Sequence, residues 1–85
     1  MSLLLLIRDD GKNGKTLGTR LMAQGHTVFL SDNSDDIATF ESVVDAVVEL
    51  EHYHDDTFAV VAGKATLTLP ADDAALSTFT NAIAH

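Results

Sequence analysis

The sequence predicts an α/β domain spanning residues 1–85, with element order βαβαββα and a small four-stranded mixed sheet carrying helices on both faces. Three observations predict it. Leu3-Leu4-Leu5-Leu6-Ile7 is an unbroken apolar run, which only a strand inside a sheet packed on both faces can hide. That run ends in Arg8-Asp9-Asp10 and passes through Gly11-Lys12-Asn13-Gly14 into a segment of helical spacing. Such a loop, at the carboxyl end of a strand, is where open α/β sheets place their sites. Finally, Thr57–Val61 and Ala65–Leu69 are two short β-type runs separated only by Ala62-Gly63-Lys64, a link that joins antiparallel neighbours and no others.

In chain order, the first strand covers roughly 3–8 and the loop Asp9–Asn13 leads into a helix over 14–24. Leu17 and Leu21 mark the buried side of that helix, and Gly25 stops it. Thr27-Val28-Phe29-Leu30 reads as a second strand, parallel to the first through a right-handed crossover. Asn33 or Ser34 caps the next helix, with Asp35 and Asp36 favourably placed in its first turn. That helix is expected to be the longest element, over 35–52. Ile37, Phe40, Val44, Val47 and Val48 recur at three- and four-residue spacing, with Glu41, Asp45, Glu49 and His52 as the opposite, solvated stripe. A strand at Ala46–Leu50 is the competing reading, because valine favours strands. His52–Asp56 reads as a polar break. After the hairpin, Pro70 ends its second strand, and Asp72 or Asp73 starts a last helix with Leu76, Phe79 and Ile83 inward.

The formal charge of −8, from 5 Lys and Arg against 13 Asp and Glu, argues against nucleic acid or an anionic membrane surface as partner. The first apolar run is too short to span a membrane and lacks the flanks of a signal peptide, so a cytoplasmic protein is expected. The chain holds no cysteine, which excludes disulfides, thiolate metal sites and thiol catalysis. Ser31, Ser34 and Ser42 lack the setting of a nucleophile, so no enzyme is expected.

Leu4-Leu5-Leu6-Ile7-Arg8-Asp9-Asp10 resembles the strand and acidic pair that hold Mg²⁺ in receiver domains of bacterial response regulators. Leu17, Leu21, Gly25, His26 and Val28 follow at the offsets usual in that family. Asn33-Ser34-Asp35-Asp36-Ile37 is similar to its second helix start, and Ala65–Pro70 followed by Leu76 to its last strand and helix. The pattern departs where Leu69 stands in place of the lysine before proline, and where no Asp ends the Thr57–Val61 strand. By sequence distance Asp55 or Asp56 could serve as acceptor. The resemblance therefore implies a shortened receiver-like module that works by protein contact, without phosphorylation.

A second resemblance is to the glutaredoxin and thioredoxin fold, carried by the element order, by Thr57-Phe58-Ala59-Val60-Val61 with Gly63-Lys64, and by Asp72-Asp73. Gly11-Lys12-Asn13-Gly14 sits where that family carries its two cysteines. The implied function is binding without thiol exchange. A third is a degenerate dinucleotide fingerprint: Gly11 and Gly14, then Gly18, Leu21, Gly25, with Asp32 placed for a ribose. Its first glycine is missing, and Asp9-Asp10 would repel a pyrophosphate.

Asp9 and Asp10 are the candidate metal ligands, two adjacent carboxylates able to share a hard cation such as Mg²⁺. No other cofactor is expected. His52-Tyr53-His54-Asp55-Asp56 brings imidazoles and carboxylates together in sequence, but residues two apart do not face each other on a helix, so one His could bind only with partners elsewhere. The leading expectation is a non-enzymatic regulatory or interaction module with a protein partner, which could be a second copy in a homodimer. The alternatives are a thioredoxin-like binding domain and a Rossmann-like nucleotide-binding unit.

Overall fold

The structure, a computed structural model, describes residues 2–85. The apolar run forms β1 (Leu4–Ile7), and the rest of the chain is arranged to cover it. Leu5, Leu6 and Ile7 expose none of their surface. α1 (Lys12–Ala23) begins two residues earlier than its spacing suggests and returns the chain to β2 (Thr27–Leu30). β2 pairs in parallel with β1, Leu4 beside Thr27 through Ile7 beside Leu30. Gly25, at φ +95°, lets the chain turn out of α1, and its N–H donates to the Met22 carbonyl.

α2 (Ser34–Phe40) and β3 (Ala46–Tyr53) occupy the stretch expected to be one long helix over 35–52. The competing strand at Ala46–Leu50 is the one that forms, and the sheet has five strands, not four. The reason is the second edge of β1, which Ala46, Val47 and Val48 fill in parallel register beside Leu5, Leu6 and Ile7. Asp45 seats this strand: its carboxylate accepts the Leu4 N–H and its own N–H donates to the Leu4 carbonyl, both at 2.7 Å. Val48 and Leu50 face the core while Glu49 and Glu51 face out, a two-residue period that a helix cannot use.

The expected polar break is also structured. β3 runs on through His52 and Tyr53, turns at His54-Asp55, and returns as β4 (Asp56–Val61). β5 (Ala65–Leu69) completes the antiparallel hairpin, and the order across the sheet is β2-β1-β3-β4-β5. The Leu69–Pro70 peptide is cis. α3 (Asp73–Ala84) follows, with the Asp72 carboxylate accepting the Ala75 N–H as its cap.

α1 and α3 share one face of the sheet. Leu17 and Leu21 from α1 and Leu76, Phe79 and Ile83 from α3 join Leu5, Ile7, Val48, Ala59 and Leu67 in one core. The two helices also meet directly, through Arg20 with Asp73 at 2.9 Å. α2 lies on the opposite face, where Ile37 is buried and Phe40 stacks on Phe29 with ring centroids 5.1 Å apart. Phe29 stands beside Leu6 in register, so Leu6 is the β1 residue this second layer covers. Right-handed crossovers that leave β1 in one direction and cross back over it in the other place their helices on opposite faces. Among the described residues no helix is long and apolar enough to cross a membrane.

Two glycines of α1 differ in what a side chain would meet. A Cβ on Gly14 would lie 2.3 Å from the Asp9 carbonyl oxygen, whereas one on Gly18 would meet Leu30 and Val28 at 3.4 Å. Gly14→Ala is expected to destabilise the fold by about 3 kcal/mol through overpacking against backbone. Gly18→Ala is expected to be neutral, or stabilising by up to about 1 kcal/mol, since alanine is the better helix former. Urea denaturation of the two variants against the parent chain measures both.

Candidate functional site

The direction of strand addition reverses between β1 and β3, with β2 on one side of β1 and the hairpin on the other. In open α/β sheets the crevice beyond the carboxyl ends of the strands at such a point is the usual binding site. Asp9 and Asp10 stand at this point, directly after β1. Asp9 is half-buried, and its Oδ1 accepts the Gly11 N–H at 2.7 Å, which shapes the turn into α1. Asp10 is exposed. Among the described residues no three His, Asp or Glu side chains come together to hold a metal. Asp9 and Asp10 thus remain a two-carboxylate candidate for Mg²⁺, whose other positions water would have to fill.

β3 extends well past β1, since only Ala46–Val48 pair with it and Glu49–Tyr53 pair with β4 alone. The protruding ribbon walls one side of a crevice of about 280 Å³, closed on the other sides by the first half of α1 and by the segment after β5. Asn13, Thr16 and Arg20 face Asp55, Thr57 and Pro70 across it. Two of its polar side chains, Arg20 and Thr57, are already engaged. The Arg20 guanidinium donates to the Ala71 carbonyl oxygen and to the Asp73 carboxylate, and Thr57 Oγ1 lies 3.0 Å from His52 Nδ1. Asp55 sits in the hairpin turn at the crevice rim, while Asp56 opens β4 opposite Tyr53.

The fingerprint glycines have architectural roles. Gly11 is the N-cap of α1, and the space beside Gly14 is filled by the Asp9 backbone. Asp32 is exposed beyond β2. The histidines of the 52–56 stretch separate because β3 ends at Tyr53 and His54 enters the turn at φ +55°: His52 meets Thr57, and His54 lies edge-on to Tyr53 with ring centroids 4.3 Å apart.

A second candidate lies on the sheet itself. α2 packs over Leu6 and against Phe29 on its side, leaving Phe29 39% exposed, and no element packs on the same side of β3, β4 and β5 among the described residues, where Phe58 and Val60 are half-buried. The register sets out three columns there: Glu49, Glu51 and Tyr53 on β3, Phe58 and Val60 on β4, Thr66 and Thr68 on β5. A shallow depression runs between Glu51, Tyr53, Phe58, Val60 and Thr66. Tyr53 is 67% exposed. Sequence reasoning missed this surface because it depends on β3. Read as a strand, Val48-Glu49-Leu50-Glu51 already separates an inward from an outward side.

The chain matches no protein-family model, and neither curated proteins nor solved structures give a significant match.

Two histidines generate predictions. His54 holds φ +55° at the first position of the two-residue turn, a left-handed conformation that glycine adopts freely. His54→Gly is expected to raise stability by roughly 1 kcal/mol, read from a thermal melt. His26 Nδ1 accepts the Leu3 N–H at 3.0 Å, and burial pushes its pKa below the ordinary 6.5. Above that value folded and unfolded chains are both neutral at His26 and nothing is lost. As pH falls through it the unfolded chain takes up the proton first, so stability declines. The melting temperature is expected to drop between about pH 7.5 and pH 5.5, with a shallower drop in His26→Gln, which accepts without titrating.

Proposed function

We propose that this chain is a non-enzymatic protein-interaction module, a receiver-like α/β domain that acts by contact and not by phosphotransfer. The observation that carries this reading is the half-face of the sheet over β3–β4–β5, where half-buried Phe58 and Val60 and exposed Tyr53 lie beside exposed acids. A partly exposed apolar strip rimmed by polar residues is a surface of the kind that protein partners cover.

The receiver-like part of the reading draws on three features. The strand order 2-1-3-4-5 is that of the flavodoxin-like doubly wound sheets, β3 runs parallel to β1, and an acidic pair follows β1 at the switch point. The antiparallel hairpin of β4 and β5 favours the thioredoxin-like alternative, although here β3 stands between that hairpin and β1. Against phosphotransfer, the β3 residue that faces Arg8 is Glu49, ion-paired with it at 3.0 Å, and Leu69 precedes Pro70.

Two measurements test the proposal together. Incubation with Mg²⁺ and acetyl phosphate is expected to leave the intact mass unchanged. Affinity capture from a cell extract is expected to recover proteins that are lost with the face variants Val60→Asp and Thr66→Arg but kept with Asp9→Asn. A covalently bound phosphoryl group, or capture that depends on Asp9 and ignores the sheet face, would overturn the reading.

A further inference from the structure

Resting on that reading, we propose that the open face of β3–β4–β5 docks a cationic amphipathic helix from a partner protein, its apolar stripe on Phe58 and Val60 and its Lys and Arg residues along the acids of β3. The first ground is shape. Strands lie about 4.8 Å apart, so three of them present a strip roughly 14 Å wide, which one helix about 10 Å across fills. The neighbouring half of the same face shows the mode of packing: α2 sets Ile37 and Phe40 over the sheet beside Leu6 and Phe29. A docked helix would continue that layer.

The second ground is charge. On this face Glu51 stands directly across from Phe58, and Asp56 opens β4 opposite Tyr53. Glu49 on the same strand already holds Arg8 at 3.0 Å, so a cation on this column has a precedent within the chain. The formal charge of −8 extends the negative field well beyond the patch. A second copy brings the same acids and the same net charge to the interface, so self-docking on this face is opposed. The hydroxyl column, Thr66 and Thr68, forms the opposite rim and leaves charge selection to the β3 side.

The test uses the full chain, isotope-labelled, followed by amide chemical shifts as a synthetic peptide is added. The probe has about 18 residues, with Leu at i, i+3, i+4 and i+7 spacing and Lys elsewhere. A matched peptide carrying Glu in place of Lys is the control. The Leu/Lys peptide is expected to move the amides of Phe58, Val60 and Thr66 in a saturable way, and the Leu/Glu peptide to leave them still. The exposed double variant Glu51→Lys with Asp56→Lys is expected to weaken binding about tenfold, and Thr66→Arg to weaken it through the opposite rim. Equal binding of both peptides, shifts confined to the crevice of Asn13 and Arg20, or no shift on the sheet face would overturn the proposal. If the Leu/Glu peptide binds the face, the charge assignment falls while the interaction-module reading stands. If neither peptide binds and capture from extract ignores Val60→Asp, both fall.

Discussion

Leu5, Leu6 and Ile7 expose none of their surface, and successive side chains of a strand point to opposite faces. Their burial therefore demands cover above and below the sheet and a hydrogen-bonded neighbour on each edge of β1. Burying such side chains stabilises a fold by roughly 1.5–3 kcal/mol each, a large share of what a small domain can spare. The remaining architecture follows from that demand. β2 takes one edge and β3 the other, α1 covers Leu5 and Ile7, and α2 covers Leu6. The first crossover runs from β1 to β2 and the second back from β2 past β1 to β3, and two crossovers of the same hand that run in opposite directions deliver one helix to each face.

The same constraint leaves the cover uneven. α1 and α3 spread across one face and lock to each other through Arg20 and Asp73, so that side of all five strands belongs to one core. On the other face the chain supplies only α2, seven residues long. Asn33 caps it, accepting the N–H groups of Asp35 and Asp36, and the acids of its first turn suit the helix dipole. At about 1.5 Å per residue such a helix spans roughly 10 Å and ends long before β4 and β5. In a small domain, surface is large relative to volume, and a half-covered sheet is one way that imbalance appears.

Much of the fold is readable in the sequence, and the exception has a physical cause. β1, β2, the β4–β5 hairpin and α3 stand out because each pattern has its own punctuation: Asp9-Asp10, Gly25, Gly63-Lys64, Pro70 and Asp72. No glycine or proline separates α2 from β3, and Ile37, Phe40, Val44, Val47 and Val48 keep a helical spacing straight across the boundary. What ends the helix at Phe40 is tertiary: the vacant edge of β1 takes Ala46–Val48, and Asp45 fastens the join to Leu4. The position of Asp9 and Asp10 at a strand's carboxyl end was equally legible, whereas the hydrogen bond that turns Asp9 onto Gly11 depends on the folded loop. The open face lies beyond sequence reasoning once β3 is read as helix, since its three columns exist only in the register of three strands.

The two candidate surfaces differ in how their polar groups are used, and that difference favours the sheet face. At the crevice, Arg20 is held by Ala71 and Asp73, Asp9 by Gly11, and Thr57 by His52. A ligand that recruited Arg20, Asp9 or Thr57 would have to break bonds that shape the loop and join α1 to α3, and each broken bond subtracts from its affinity. On the sheet face, Glu51 and the hydroxyls of Thr66 and Thr68 point to water, and Phe58 and Val60 lie between them. A partner there displaces solvent from partly exposed apolar surface, and the ion pair at its edge, Arg8 with Glu49, is itself exposed to solvent. The topology that hides β1 thus uses its polar chemistry at the switch point for architecture and leaves the far half of the sheet free to meet another protein.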